Sequence, residues 1–592
     1  MDQAYEFLKH STGIQYQVIT ALLREFERDV SQMKGTVMDV GCGPGNNTKN
    51  LILPKISKDA VMVGLDISEK MVECARKLNA DEKERLSFEQ LDIEIKDLPA
   101  EYKERFDHGF SFFCFQWIQD LRSCFGNIYK LLKPGGTFIS QHILLFNVYN
   151  GYLTLAERDK FKEYIKDVKK FITPLYFVED PRETFVKILE DIGFQVLHCS
   201  IREKVSGYKC LADRKELFAS VNPFVPLMPE DVKNEYMDAL IEETLKEETV
   251  MFRKSDDSSN EEKVFDLYKL IMLHIKKPEN KFSLRQVVEF ICNRNILYFY
   301  KRKVNKKNII MDQVNEYLKH SNGIQYHVIT SLLNEFENDV SQMKGTVMDI
   351  GCGPGNSTKN LILPKVSKDA VIVGLDISEK MIECARILNA DEKERLNFEQ
   401  FDIEAEDFPV EYKERFDHGF SFFCLHWIAD LRLAFENIYK LLKPGGTFLS
   451  QTILVFNGYN GYLKLSESEK FKEYMKDARR FVTSLYFDKD PRAALIEILQ
   501  DIGFQVLHCS VREKITGYKS QLDRKELYTS INPFVPRMPE DVKNDFMDKL
   551  MEETLKEENV LFRKNDDSSN EDKIFDLYKL IMFYIKKPEN EF

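Results

Sequence analysis

Two glycine-rich segments, each headed by an aspartate, are the parts of the sequence whose residue types and spacing most clearly suggest chemistry. DVGCGPG begins at Asp39, and DIGCGPG begins at Asp349. Glycines at alternate positions let the backbone approach a ligand closely and leave the first amides of the next helix facing it. A tight strand-to-helix turn without a ligand is the other interpretation. The glycines concerned are Gly41, Gly43, Gly45, Gly351, Gly353 and Gly355.

The spacing of these glycines separates two classes of ligand. A dinucleotide site follows the pattern G-x-G-x-x-G, whereas an S-adenosylmethionine site resembles an acidic residue followed by x-G-x-G-x-G. Both segments have the second pattern, headed by Asp39 and Asp349. A pyrophosphate would gain nothing from a negative charge there, but the cationic amino group and sulfonium of S-adenosylmethionine would be stabilised by it. The sequence therefore predicts S-adenosylmethionine as the cofactor of both segments.

Two further aspartates follow each glycine segment. Asp66 lies about twenty residues past the first segment, where an acidic side chain can accept hydrogen bonds from both ribose hydroxyls. Asp92 follows the next apolar run and is predicted to meet the adenine amino group. Each aspartate alone would more often cap a helix or lie in a solvated turn, but their order after successive strands favours the cofactor site. The second segment is followed by Asp376 and Asp402 in the same way.

The elements that must position these residues alternate between strand and helix. Short apolar runs begin at Gly35, Val61, Ser87, Phe106 and Thr137, with helix-compatible stretches between them. This alternation predicts an α/β fold with a doubly wound, Rossmann-like parallel sheet, whose ligands bind at the carboxyl ends of the strands. Residues 156–171 are predicted to be helical and to cover the site, and runs beginning at Phe194 and Val264 are predicted to complete the sheet.

The whole pattern occurs twice. MDQAYEFLKHS at Met1 returns as MDQVNEYLKHS at Met311, and the match continues to the end of the chain. So long a period indicates a duplicated domain and not a short-period repeat protein. We expect an intrachain pair of similar domains, copy one at residues 1–282 and copy two at residues 311–592, joined by a linker at residues 283–310. The basic run at 301–307 could be a localisation signal or an anionic-surface patch, but a solvated spacer is the preferred interpretation.

Composition limits the class of protein. A formal net charge of -13 argues against nucleic acid as a partner, and no apolar run reaches the ~18 residues of a membrane span. The N-terminus lacks the apolar core of a signal peptide, so a cytoplasmic location is expected. Cys124 and Cys210 become Ala434 and Ser520 in copy two, which favours reduced thiols over a disulfide framework. No paired His or Cys spacing predicts a metal site.

One stretch carries a more specific resemblance. Copy two reads FDHGFSFFCLHWIADLRLAFENIYKLLKPGG from Phe416, and copy one matches it from Phe106. Together with Gly13-Ile14-Gln15 and the segment at 531–534, this stretch resembles the juvenile hormone acid O-methyltransferase family over almost all of each copy. The resemblance implies the class I methyltransferase form of the Rossmann-like sheet, present twice, with S-adenosylmethionine as methyl donor.

The resemblance also implies the substrate residues. The counterparts of Gln15 and Trp117 hold the substrate carboxylate in that family, so Gln15, Trp117, Gln325 and Trp427 are the candidates here. A core aromatic with a satisfied N–H is the alternative for Trp117. Copy two keeps His426 as in the family, which makes it a further catalytic candidate, whereas copy one has Gln116 at that position. His108 and His418 lie within the fourth strand of each copy and are expected to be structural.

The expected function is methyl transfer from S-adenosylmethionine to the carboxylate of a hydrophobic acid, such as a juvenile hormone acid, a farnesoic acid or a fatty acid. A carboxylate is already ionised near neutral pH and needs no general base. One alternative is a small-molecule methyltransferase that acts on a hydroxyl or a polar acid. Another is a donor- or lipid-binding protein with one inactive copy, which the Gln116 exchange leaves open for copy one.

Overall fold

The computed structural model describes residues 2–254, 262–279, 323, 325–563 and 572–589. The chain divides into two compact units, Met1–Val304 and Asn305–Phe592. The predicted linker at 283–310 lies outside the described residues. In the part of the chain that the structure describes, no helix combines the length and apolar character that crossing a membrane requires.

Copy one contains one mixed sheet in the order β3-β2-β1-β4-β5-β8-β6, with β7 paired to β8. Strands β1 to β5 run parallel, and β8 is antiparallel to β5, β6 and β7. The strands are β1 Thr36–Val40, β2 Val61–Asp66, β3 Leu86–Gln90, β4 Phe106–Phe112, β5 Leu132–Leu145, β6 Gln195–Tyr208, β7 Val250–Lys254 and β8 Glu262–Lys276. The chain reverses its order beside β1, which is where ligands bind in doubly wound sheets.

Helices cover both faces of this sheet. They are α1 Asp2–Glu25, α2 Glu27–Ser31, α3 Glu69–Leu78, α4 Leu121–Leu131, α5 Val148–Ala156, α6 Pro181–Ile192, α7 Leu211–Ser220 and α8 Glu230–Leu245. A short π-helical turn, Thr48–Ile52, follows the glycine segment. Polar side chains begin several helices: the Asp180 carboxylate accepts from the Glu183 amide at 2.8 Å, with Pro181 at the first helical position.

Two apolar clusters lie on opposite faces of the sheet. Phe125 of α4 and Leu189 of α6 belong to the first, and Ile19 of α1 and Ala75 of α3 belong to the second. A third cluster joins α5, α8 and the segments between them. Because the first two clusters bury both faces, the polar groups at the carboxyl ends of the strands are the part of the sheet left open to a ligand.

Copy two repeats this arrangement. Its sheet order is β11-β10-β9-β12-β13-β16-β14, with β15 paired to β16. The strands are β9 Thr346–Ile350, β10 Val371–Asp376, β11 Leu396–Gln400, β12 Phe416–Phe422, β13 Leu442–Val455, β14 Gln505–Tyr518, β15 Val560–Arg563 and β16 Lys573–Lys586. The helices are α9 at 325–335, α10 Glu337–Val340, α11 Glu379–Leu388, α12 Leu431–Leu441, α13 Gly458–Ser466, α14 Pro491–Ile502, α15 Gln521–Ser530 and α16 Glu540–Thr554.

The predicted α/β fold with a doubly wound sheet is confirmed in both copies, with two local corrections. Helix α5 ends at Ala156, and residues 157–171 form turns followed by a short 3-10 helix at Val168–Phe171, so the predicted helix over 156–171 is wrong. The apolar residues of this segment pack into the third cluster instead of forming one helical face. The Phe161 ring, for example, packs edge-on against Tyr236, with centroids 5.5 Å apart. Helix α1, which carries Gln15, was not predicted as an element.

Candidate active site

The glycine segment of copy one leaves β1 in a left-handed backbone conformation. Gly41, Gly43 and Gly45 have φ angles of +74°, +54° and +76°. A β-carbon at Gly41 would lie 2.4 Å from Cys114 Sγ, and one at Gly45 would lie 2.5 Å from the Phe88 ring. At Gly43 a β-carbon would meet no atom within 4 Å. Gly41 and Gly45 therefore allow close packing within the protein, whereas Gly43 faces open space.

Asp66 ties the glycine segment to the end of β2. Its Oδ2 accepts from the Gly43 amide and its Oδ1 from the Ser68 amide, both at 2.9 Å. Asp376 makes the equivalent bonds with Gly353 and Ser378 at the same distances. Burial raises the pKa of Asp66 above its ordinary range. Each carboxylate oxygen can accept a second hydrogen bond, so the predicted contact with ribose hydroxyls is compatible with these partners.

Asp39, at the head of the segment, is buried. It is 4% exposed, and its Oδ2 accepts a hydrogen bond from Thr48 Oγ1 at 2.6 Å. Burial raises the pKa of Asp39 to about 7. Asp349 in copy two is also 4% exposed, accepts from Thr358 at 2.6 Å and has a pKa near 7 for the same reason. A charge on either carboxylate would therefore act on a ligand from behind the glycine segment.

A cavity of about 480 Å³ opens beside the glycine segment of copy two. Its walls include the predicted cofactor residues Gly351, Gly353, Asp376 and Asp402, together with Trp427. Asp349 and Gly355, also predicted, lie behind this wall. Asp402 comes two residues after β11 ends, and its Oδ1 accepts from the Glu404 amide at 2.9 Å. In copy one, Asp92 accepts from Glu94 at the same distance.

A second cavity, of about 530 Å³, lies in copy one between the sheet, α5 and α7. Gln15 and Trp117, predicted from the family resemblance, both line it, and so does Gln116. Trp117 is 41% exposed, which does not fit a core aromatic. Most of the remaining wall is aromatic or aliphatic, as in Phe146 and Tyr152. We refer to this space as the acceptor cavity and to the space beside the glycine segment as the donor cavity.

The acceptor cavity of copy two is smaller, about 90 Å³, and Gln325 lines it. Trp427 instead lines the donor cavity, and Phe423 lines both. The two predicted substrate residues of copy two thus lie on different cavities separated by the Phe423 side chain. In copy one they share a single cavity.

His142 of copy one and His426 of copy two are buried histidines at positions that are not equivalent. His426 is 4% exposed, and its Nδ1 is 3.2 Å from Thr452 Oγ1. In copy one, Gln116 takes the position of His426, and His142 takes the position of Thr452. Burial lowers the pKa of His142 and of His426 to about 3, so both rings are neutral near pH 7. His426 lines neither described cavity of copy two, and its catalytic role remains a prediction.

Comparisons with known proteins agree on a family. A family model described as a methyltransferase domain matches residues 31–176 and again residues 341–501. The chain is 32% identical over 281 residues to juvenile hormone acid O-methyltransferase of Drosophila melanogaster, covering 47% of this chain and 93% of that protein. It is 30% identical over 273 residues to the same enzyme of Bombyx mori, covering 45% and 95%. The chain belongs to this methyltransferase family.

The family domain occurs twice, which makes this chain a tandem S-adenosylmethionine-dependent O-methyltransferase. Among solved structures, phosphoethanolamine N-methyltransferase 2 of Haemonchus contortus aligns with 97% of this chain and 100% of its own, at 13% identity and a TM-score of 0.30. That likeness is too distant to inform the site.

The walls of the donor cavity fit S-adenosylmethionine. The volume of about 480 Å³ is within the range of roughly 300–1,000 Å³ usual for small-molecule sites. Gly353 leaves room for a ligand, because a β-carbon there would meet no atom within 4 Å. Asp376 and Asp402 supply carboxylates, and the partly protonated Asp349 can ionise beside a cation. Among the described residues, no group of three His, Cys, Asp or Glu side chains could hold a metal ion.

Sequence reasoning missed two kinds of site residue. Thr48 and Thr358, which bond the buried aspartates, lie in a π-helical turn that no local pattern announces. Phe113 and Phe423 line the acceptor cavities with φ angles of +54° and +53°. A left-handed non-glycine residue costs about 1–3 kcal/mol and persists only where the surrounding structure holds it. Nothing in the residue type signals that conformation.

Proposed function

We propose that each copy transfers the methyl group of S-adenosylmethionine to the carboxylate of a hydrophobic acid, such as a juvenile hormone acid, a farnesoic acid or a fatty acid. The observation that carries this proposal is the copy-one acceptor cavity. It is largely apolar, it holds about 530 Å³, and an amide and an indole, Gln15 and Trp117, lie on its wall. Such a cavity suits an apolar tail with one polar end.

Gln15 can donate to a substrate through its amide nitrogen. Asn47 Nδ2 donates to Gln15 Oε1 at 3.3 Å, so the carbonyl oxygen of the Gln15 amide has a partner and Nε2 is the end that can bind a carboxylate. The Trp117 indole N–H is a donor only. Together they can hold one carboxylate oxygen and direct the other towards the methyl donor, and such orientation contributes several kcal/mol to catalysis. Asn47 is thus a positioning residue; copy two has Ser357 there.

Methyl transfer to a carboxylate requires few further catalytic groups from the protein. When bound, S-adenosylmethionine supplies a methyl group on a positively charged sulfur. A carboxylate oxygen held by Gln15 and Trp117 would take this methyl group as its bond to sulfur broke, which would give a neutral ester and leave a thioether. No proton moves, so the site needs to orient the carboxylate and exclude water, and Phe113 and Trp117 can do the latter.

A hydroxyl acceptor is less compatible with these walls. It would require a general base with a pKa near the working pH. Burial lowers the pKa of His142 and His426 to about 3 and also lowers that of His108, whose Nδ1 is 2.8 Å from Thr137 Oγ1. These histidines are therefore weak bases. The role of His108 and His418 that we favour is structural.

The two copies keep the same donor geometry, which favours two active sites over one enzyme and one binding copy. The hydrogen bonds of Asp39 and Asp66 recur at Asp349 and Asp376 with identical distances. We further propose a cytoplasmic location, since the ten cysteines that the structure describes form no disulfides.

The test uses the full chain with methyl-labelled donor and a panel of lipophilic acids, followed by extraction and identification of the esters. Asp376→Ala removes donor binding by copy two, so that only copy one is active. In this background, turnover is compared between the chain with Trp117 and the Trp117→Phe variant. The phenylalanine keeps an aromatic ring but removes the indole donor, so turnover should fall roughly tenfold or more while donor affinity stays unchanged. If no acid is esterified, or if hydroxyl compounds are the better acceptors, the proposal is wrong.

A further inference from the structure

The two acceptor cavities differ far more than the sequences around them. Copy one has about 530 Å³ and copy two about 90 Å³. The copy-one cavity continues along α5 to Tyr149 and Tyr152, whereas the described lining of the copy-two cavity stops short of their equivalents. Seven pairs of identical residues line both walls: Gln15 and Gln325, Phe113 and Phe423, Ile143 and Ile453, Phe146 and Phe456, Tyr208 and Tyr518, Leu217 and Leu527, and Tyr268 and Tyr578. Part of the difference in volume lies at one end of the cavity, where Trp427, Arg480 and Phe481, the equivalents of Trp117, Lys170 and Phe171, line the donor cavity of copy two. The rest lies beside Tyr149 and Tyr152, where a few exchanges distinguish the two copies.

The first exchange is Val148 for Gly458, at the start of the helix beside the cavity. Val148 is 2% exposed and lines the copy-one cavity. A β-carbon at Gly458 would lie 2.4 Å from Phe456 Cε1. The ring of Phe456 thus occupies space that a side chain at 458 would need. In copy one Val148 fills that space, so Phe146 cannot adopt the same position.

The second exchange is Phe218 for Tyr528. The Tyr528 hydroxyl donates to Asp576 Oδ2 at 3.0 Å, which fixes the tyrosine ring. The Phe456 ring stacks on it, with centroids 5.0 Å apart and planes at 27°. In copy one the Phe146 ring meets Phe218 edge-on, at 5.3 Å and 72°. The tyrosine and the missing valine side chain therefore favour the same rotated phenylalanine, which narrows the cavity.

We propose that the residue pairs Val148/Phe218 and Gly458/Tyr528, acting through the Phe146 or Phe456 ring, determine the length of acid that each copy accepts. Copy one takes long or bulky apolar acids, and copy two takes shorter ones. Thr516 and Ile531, in place of Ser206 and Val221, each add a methyl or methylene group to the copy-two wall and act in the same direction. This inference rests on the proposed function, because it assumes that an acid occupies the cavity.

The experiment uses the full chain in two backgrounds, Asp376→Ala to report copy one and Asp66→Ala to report copy two. The substrates are straight-chain saturated acids of graded length, from hexanoic to hexadecanoic acid. We expect the ratio of kcat/KM for hexadecanoic over hexanoic acid to be higher in copy one. Gly458→Val with Tyr528→Phe should raise that ratio in copy two by roughly tenfold or more, because pocket fit discriminates chain length on that scale.

Two further variants provide the reverse exchange and a control. Val148→Gly with Phe218→Tyr should lower the ratio in copy one. Lys464→Thr is the control, because it introduces the copy-one residue on the exposed side of the same helix in copy two. The Lys464 side chain is 61% exposed and pairs with Glu553, so this variant should leave the ratio of copy two unchanged. Donor binding by calorimetry checks that each variant is folded. If the double variant fails to fold, Tyr528→Phe alone must shift the ratio in the same direction.

The outcomes separate the two claims. Ester formation with the same length profile in both backgrounds, or a profile that the exchanges do not move, overturns this inference and leaves carboxyl methylation standing. The absence of ester from every acid overturns both.

Discussion

Thr48 Oγ1 donates a 2.6 Å hydrogen bond to Asp39 Oδ2 inside the protein, at the head of the glycine segment. Because burial raises the pKa of Asp39 to about 7, this carboxyl is about half protonated at neutral pH when no cation is nearby. Thr358 and Asp349 repeat the relationship in copy two. A positively charged donor should draw both aspartates into the ionised form.

The first prediction concerns donor affinity and pH. Affinity should rise by roughly tenfold between pH 6 and pH 8 as Asp39 and Asp349 ionise, and binding near pH 7 should release protons. Calorimetry in buffers of different ionisation enthalpy measures both effects. In Asp39→Asn with Asp349→Asn, the pH dependence should disappear. A wild-type affinity that is flat over this range would show that neither carboxyl senses the donor.

The same pKa values affect stability without the donor. The folded pKa of about 7 is above the ordinary value of 3.8, so between these values the unfolded chain loses the proton first. This contribution makes the protein less stable as pH rises from about 4 to about 7. Asp39→Asn should weaken that fall in chemical denaturation.

The second prediction is two donor sites per chain. Asp66→Asn replaces one carboxylate oxygen with an NH₂ group, which cannot accept a hydrogen bond from the Gly43 or the Ser68 N–H. One of these two bonds is therefore broken, and one donor site should be lost or weakened by about tenfold to a hundredfold. Asp376→Asn should remove the other site, and the double variant both. Asp81→Asn is the control, since that aspartate is 70% exposed and pairs with Lys49. Titration to one site in the wild type would contradict the symmetry of the two copies.

The third prediction concerns a buried amide. In copy one Thr249 Oγ1 donates to Asn147 Oδ1 at 2.7 Å. Copy two has Asn559 in place of the threonine, and its buried Asn457 Oδ1 has no hydrogen-bond partner among the residues that the structure describes. Asn559→Thr should therefore stabilise copy two by about 1 kcal/mol, and Thr249→Asn should destabilise copy one by a similar amount. Differential scanning calorimetry of the full chain measures both. If Asn559→Thr destabilised copy two, or Thr249→Asn stabilised copy one, the hydrogen bond between these positions would not contribute to stability as proposed.

The fourth prediction concerns the domain boundaries, which we propose at residues 1–282 and 311–592. Each fragment has its own sheet and its own apolar clusters among the described residues, so each should fold and bind the donor when expressed alone. Circular dichroism and donor calorimetry on the separate fragments test this. Insoluble fragments beside a soluble full chain would show that the copies depend on each other.

The sequence by itself determined the duplication, the α/β class and the cofactor, because glycine spacing, aspartates after strands and alternating apolar runs are local patterns. Gln15 and Trp117 came from a family resemblance, and the structure brings them to one cavity although 102 positions separate them. Only the tertiary structure decided that Gly43 faces open space while Asp39 is buried, and that Trp427 lines a different cavity from Gln325. These features depend on contacts between distant segments. Whether the ring of Phe146 or Phe456 narrows its cavity depends on the side chain at position 148 or 458. In copy two it also depends on Tyr528, which Asp576 holds in place from a distant strand. No periodic pattern in the sequence indicates either contact.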